Sequence, residues 1–189
     1  MSLEPIDDSR LNQQYALLST GSGYLWAGVG LGLRWGTTDP NGEWIECVYD
    51  ASAYDGVRFW ARGNDLETRL TLSVPAVIPI DEGGSCEANC WSNHGVDLNI
   101  QEGWHEYFVP FHSFEQPATG ARAGDIDPSV LRSLQFEMPS GSTFELLIDE
   151  IGFYSGALPT DLDAGVTDSD AGVPVQDASA EVEDAGDAG

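Results

Sequence analysis

The chain has 189 residues, a formal net charge of -25 and only seven basic residues, all of them Arg. Such a surface repels phosphate backbones and anionic headgroups, which argues against nucleic acid as a partner. The length suits one domain of ordinary size, and no apolar run is long enough to span a bilayer.

Residues 1–12 read as a leader or a truncated start, because Met1-Ser2-Leu3-Glu4 opens abruptly and carries no signal-peptide pattern. Residues 13–156 read as one β-sandwich domain. Its clearest strand is Tyr24 to Trp35, where Leu25, Ala27, Val29, Leu31, Leu33 and Trp35 alternate with Gly28, Gly30, Gly32 and Arg34. Glycine on the second face implies a bend or the close approach of another segment. Asp39-Pro40-Asn41-Gly42 is a turn.

Gly56 to Gly63 places Val57, Phe59 and Ala61 on one face and Arg58, Trp60 and Arg62 on the other. Thr68 to Val74 turns Leu70, Leu72 and Val74 inward. Trp104 to Phe111 is a further strand. Asp127 to Leu131 is a single helical turn, with Asp as N-cap and Pro at the first position. Arg132 to Met138 alternates Leu134, Phe136 and Met138 with Ser133, Gln135 and Glu137. The last strand, Phe144 to Phe153, changes phase at Asp149-Glu150, as a β-bulge requires. Many short strands, Gly/Pro turns and almost no helix make the fold all-β, a jelly-roll β-sandwich of two antiparallel sheets.

From Ala157 to Gly189 the composition collapses to a few small and acidic residue types, with four Asp-Ala-Gly triplets, nine of the chain's 32 acids and no aromatic residue. Such a segment cannot bury enough apolar surface to offset its chain entropy, so 157–189 reads as a disordered acidic linker.

Cys86 and Cys90 stand four apart in a Gly/Ser/Asn loop and read as a local disulfide, with half a zinc site as the alternative. A disulfide suits an extracellular or cell-surface location. Cys47 is left odd, either buried or without its native partner.

Catalytic motifs are absent. Gly28-Val29-Gly30-Leu31-Gly32 lies inside an alternating strand with no helix after it to cradle a phosphate. None of His94, His105 and His112 accompanies a G-x-S-x-G elbow. The chain is therefore read as a non-enzyme with no cofactor.

The six Trp are the better signal. Trp faces stack on sugar rings by the physics that packs them in cores, and Arg forks and amides pair with hydroxyls. If their strands share a sheet, Arg58, Trp60, Arg62, Gln135 and Glu137 form one ligand face; otherwise they are solvated outer positions. Trp91-Ser92-Asn93-His94 follows the cystine loop directly. Trp91 and His94 are candidate recognition residues there, unless Trp91 lids the core. Asp149, at the bulge, is a candidate Ca²⁺ ligand, against the reading of an exposed bulge residue.

Several strings together resemble jelly-roll carbohydrate-binding modules and related galactose-binding-like domains of secreted bacterial proteins. They are Tyr15-Ala16-Leu17, Gly21 to Tyr24, Tyr49 to Gly63, Trp104 to Phe111 and Leu147 to Phe153. The tail is similar to spacers of myxobacterial surface proteins, some of which precede an anchor. The resemblance implies a secreted, monomeric, non-catalytic module whose partner is a polysaccharide or surface glycan. The alternative is a structural or adhesive domain with no small-molecule ligand. Family members build a structural calcium site with an acidic first strand, and this chain reads as starting after that strand.

Overall fold

The computed structural model describes residues 2–5, 15–33, 36–38, 40–42 and 44–157. Arg34 and Trp35 of the first predicted strand, and the acidic segment from residue 158 onward, lie outside the described residues. Among the described residues eleven strands follow in chain order: β1 Ser2–Pro5, β2 Tyr15–Ser22, β3 Ala27–Gly32, β4 Gly36–Thr38, β5 Trp44–Glu46, β6 Gly56–Arg62, β7 Leu66–Ser73, β8 His94–Ile100, β9 His105–Pro110, β10 Ser133–Met138 and β11 Thr143–Tyr154.

They form two larger antiparallel sheets and a β4–β5 hairpin. The first sheet has the order β1-β2-β11-β6-β9 and the second β3-β10-β7-β8. The pairings are nested. β2 pairs with β11, β3 with β10, β6 with β9 and β7 with β8. This is one long antiparallel hairpin wrapped so that its strand pairs fall alternately into two sheets, which is the jelly-roll arrangement. Among the described residues no helix is long and apolar enough to cross a membrane.

Alternation decides what lies between the sheets. Val57, Phe59 and Ala61 of β6 are fully buried, as are Leu70 and Leu72 of β7, and Leu134 and Phe136 of β10 nearly so. Phe59 from the first sheet stacks on Tyr107 at 5.2 Å and meets Phe136 of the second sheet edge-on at 5.0 Å. Burial raises the Tyr107 hydroxyl above its ordinary pKa. That hydroxyl accepts the Gln101 N–H at 3.0 Å and donates to Asn99 O at 3.3 Å, so its burial leaves no orphan.

The bulge lies where the phase change in the sequence puts it. The β11–β6 register shifts between Asp149 and Gly152, and Glu150 has φ 47°. Phe144, Leu146 and Ile148 face the core before the bulge; Ile151 and Phe153 pack on it afterwards. The turn at Pro128–Val130 is a short 3₁₀ helix, and the Asp127 carboxylate accepts the Ser129 N–H at 3.0 Å.

Two readings are corrected. The strand expected from Tyr24 begins only at Ala27, and Leu25, counted on its inner phase, is 92% exposed. Ser2–Pro5 pairs with Tyr15–Leu18 as an edge strand, so the sheet starts well before residue 13. Of the two readings of Cys47, the buried one does not hold: it is a half-buried free thiol.

Candidate functional site

The outer face of the second sheet is a trough. Its rows run across four strands. Gly30, Gln135, Thr71 and Gly95 form one row; Gly28, Glu137, Arg69 and Asp97 form the next; Gly32, Ser133 and Ser73 lie on the other side. Every row begins on a glycine of β3, so one flank of the sheet carries no side chains. The glycines are required where the trough is built. A Cβ on Gly28 would stand 2.6 Å from Gln135 Nε2 and 3.2 Å from the Trp26 ring, and one on Gly95 would stand 2.6 Å from Arg69 Nε. The close approach implied by glycine alternation is thus made by the Gln135 amide and an indole.

The floor is internally bonded. Thr71 Oγ1 donates to Glu137 Oε1 at 3.1 Å, and the Ser73 and Ser133 hydroxyls bond each other. Arg69 is held in place: it donates to Asp97 Oδ1 at 2.8 Å and to the Gly95 and Glu115 carbonyls at 3.1 Å each. Recesses open on this face among the described residues. One of about 510 Å³ is lined by Glu67, Arg69, Asp97, Asn99, Glu137 and Pro139. One of about 370 Å³ is lined by Gly30, Gly32, Ser73, Trp91, Arg132 and Gln135 among others. Trp26 and Trp91 border the trough and are 63% and 54% exposed.

Trp91 is delivered by a long excursion between β7 and β8. Two 3₁₀ turns, Pro75–Val77 and Ile80–Glu82, fold it back on itself. The buried Arg132, the residue just before β10, donates to Gly83 O at 2.7 Å and anchors the excursion there. Gly84 is packed so tightly that a Cβ would stand 1.9 Å from Ile78 O. Gly84→Ala is therefore expected to destabilise the domain by about 1–3 kcal/mol, read as a lower urea midpoint. Cys86 and Cys90 form the expected disulfide, with Cα atoms 5.8 Å apart. Trp91 itself has φ 68°, a left-handed backbone that bulky residues rarely adopt.

The predicted site residues separate. Gln135, Glu137 and Trp91 belong to this trough. Arg58, Trp60 and Arg62 do not, because β6 lies in the first sheet and its outer face points away on the opposite side of the sandwich. There Arg58 bridges Glu106 at 3.2 Å, and Arg62 sits 5.7 Å over the Trp104 ring. Ala16 and Leu147, outward by phase on that sheet, are buried, so the face is covered in part. His94 is also corrected. It is 1% exposed, and its Nε2 bonds Gly124 O at 2.8 Å, so within Trp91–His94 only Trp91 points clearly to solvent. Asp149 accepts the Glu150 N–H through Oδ1, and its Oδ2 is buried without a partner. Among the described residues no group of three or more His, Cys, Asp or Glu is gathered as a metal would require. Trp26, Arg69 and Thr71 were not singled out from sequence. The three glycines opposite them in the strand pattern were the available signal.

No protein-family model matches the sequence, and no curated protein is similar to it at a significant level. Solved structures are similar in fold. A family 30 carbohydrate-binding module of a cellulosomal cellulase of Clostridium thermocellum superposes with a TM-score of 0.51 at 16% identity, covering 82% of this chain and 87% of that one. Another structure of a family 30 module gives 0.51 at 16%, covering 86% and 82%. An exo-beta-agarase gives 0.52 at 10%, covering 83% of this chain but only 22% of the enzyme. The chain therefore has the jelly-roll fold of carbohydrate-binding modules.

Proposed function

We propose that this chain is a non-catalytic extracellular module that binds an uncharged polysaccharide along the outer face of β3, β10, β7 and β8. One observation carries the reading: an exposed trough with a side-chain-free glycine flank, a central Gln135 amide and two exposed indoles, Trp26 and Trp91, at its borders. The glycine flank leaves room for a polymer to lie close to the sheet. Indole faces match the apolar faces of pyranose rings, and the Gln135 amide offers both a donor and an acceptor to hydroxyls. The cystine supports an oxidising compartment. The fold shared with carbohydrate-binding modules supports the same class of ligand.

Charge narrows the ligand. Glu67, Glu82, Asp97 and Glu137 line the recesses, whereas Arg69 pairs with Asp97 and Arg132 donates to Gly83 O within the protein. Carboxylated or sulfated chains meet repulsion from these carboxylates. Affinity electrophoresis in gels containing a neutral β-glucan or agarose, against polygalacturonate, tests this. Retardation is expected in at least one neutral gel and not in polygalacturonate. A folded protein retarded only by the polyuronate would refute the proposal. The exposure of Trp91 also favours this reading over a purely structural domain, for which that ring would be covered.

A further inference from the structure

We propose that the Cys86–Cys90 disulfide is a positioning element of the trough. It holds the Trp91 backbone in the left-handed conformation that turns the indole toward Gly30, Gly32 and Gln135. Opening the disulfide then weakens ligand binding while the sandwich stays folded. The proposal rests on the trough reading given above.

The geometry is local. Asn89 at φ 51° and Trp91 at φ 68° bracket Cys90, so two non-glycine residues around the cystine occupy the left-handed region. The cystine ring is stitched to the core at both ends. Cys86 N–H donates to Ile78 O at 2.9 Å, and Trp91 N–H donates to Val77 O at 2.7 Å. Val77 and Ile78 are buried, which gives the stitches a rigid base. On the far side, Ala121 N–H donates to Asn89 O at 2.7 Å. The buried Ser92 hydroxyl donates to Ala121 O, and Gln116 Nε2 donates to Ser92 O at 2.8 Å.

The Trp91 side chain, by contrast, is half exposed and lines the recess with Gly30, Gly32 and Gln135. Packing alone does not hold the indole in place; the direction of the backbone beneath it sets where it points. The disulfide joins residues only four apart, so it restrains less of the unfolded chain than a bridge over a long loop would. Its main effect falls on the residues beside it. Once the ring opens, Asn89 and Cys90 lose that restraint, and Trp91 can relax to the right-handed or extended backbone that its side chain prefers.

The test uses tris(2-carboxyethyl)phosphine on the folded full chain. The phosphine is oxidised to its oxide, water supplies the oxygen and two protons, and the cystine becomes two thiols. A Cys86→Ala/Cys90→Ala variant opens the ring without reductant, and reduction of the unmutated chain guards against misfolding of the buried Cys86 site. The ligand-independent readout is the Trp91 indole N–H resonance in ¹⁵N-labelled protein, identified by its loss in Trp91→Phe. On opening, this resonance is expected to shift and to gain fast side-chain motion, while the Trp60 and Trp104 indoles stay put. Affinity for a neutral oligosaccharide is expected to fall about tenfold, and by less than about twofold in a Trp91→Ala background, where there is no indole left to position. An unchanged Trp91 resonance would overturn the proposal, and so would an equal affinity loss with and without Trp91. If the oxidised chain binds no glycan, the trough reading fails, and the indole resonance still decides whether the disulfide holds Trp91.

Discussion

Phe59→Ala is expected to destabilise the domain by about 3–5 kcal/mol, the largest stability effect of any single truncation here. Phe59 is fully buried and stands where the two sheets meet, stacked on Tyr107 of its own sheet and edge-on to Phe136 of the other. Removing the ring forfeits the transfer free energy of its carbons and leaves a cavity walled by strands of both sheets, which cannot close together without breaking their hydrogen-bonded registers. The loss is a large share of the roughly 5–15 kcal/mol that holds a domain folded, so part of the population unfolds at physiological temperature. Urea unfolding followed by fluorescence measures it. Phe108→Ala is the matched control: Phe108 is on the outward phase of β9, only partly buried, and meets Tyr154 edge-on at 5.2 Å. Its loss is expected to cost about 1–2 kcal/mol, because solvent fills much of the space.

Trp26→Ala and Trp91→Ala are each expected to weaken neutral-glycan binding about tenfold, and the double variant about a hundredfold. Each indole borders the trough and is more than half exposed in the free protein, so each offers a flat apolar surface for a sugar ring to cover. They belong to different parts of the fold, Trp26 to the lead-in of β3 and Trp91 to the β7–β8 excursion, and their effects are expected to add. Trp60→Ala is expected to leave affinity within about twofold, because Trp60 lies in the sheet on the opposite side of the sandwich. Isothermal titration with one oligosaccharide across the four variants checks the pattern. Thermal unfolding of each variant separates lost contact from lost fold.

Much of the fold was legible because the pleat writes burial into sequence with period two. β6, β7, β10 and the two phases of β11 could be read from alternation, and the Asp149–Glu150 slip marked the bulge before any register was known. Alternation, however, reports the face and not the sheet. In a jelly roll, strands that follow each other in sequence repeatedly cross to the opposite sheet, and partners come from distant segments. Arg58, Trp60 and Arg62 could therefore be placed outward correctly and still be grouped wrongly with Gln135 and Glu137. Trp26 was hidden for a different reason. The turn ahead of Ala27 breaks the alternating phase, so Leu25 and Trp26 both reach solvent although their parities differ. His94 misled because it follows an exposed Trp in a loop, whereas it is already the first residue of β8 and turns inward to Gly124 O. The cystine was readable from spacing alone, but its relation to the left-handed Trp91 needed the backbone.

The location of the binding face is tested most directly by ¹H–¹⁵N chemical-shift mapping with a neutral oligosaccharide. The expected result is a continuous set of perturbed signals at Gly28, Gly30, Thr71, Gly95 and Gln135 and at the Trp26 and Trp91 indoles, with Arg58, Trp60 and Arg62 silent. Perturbation centred on Arg58, Trp60 and Arg62, with the trough silent, would contradict it.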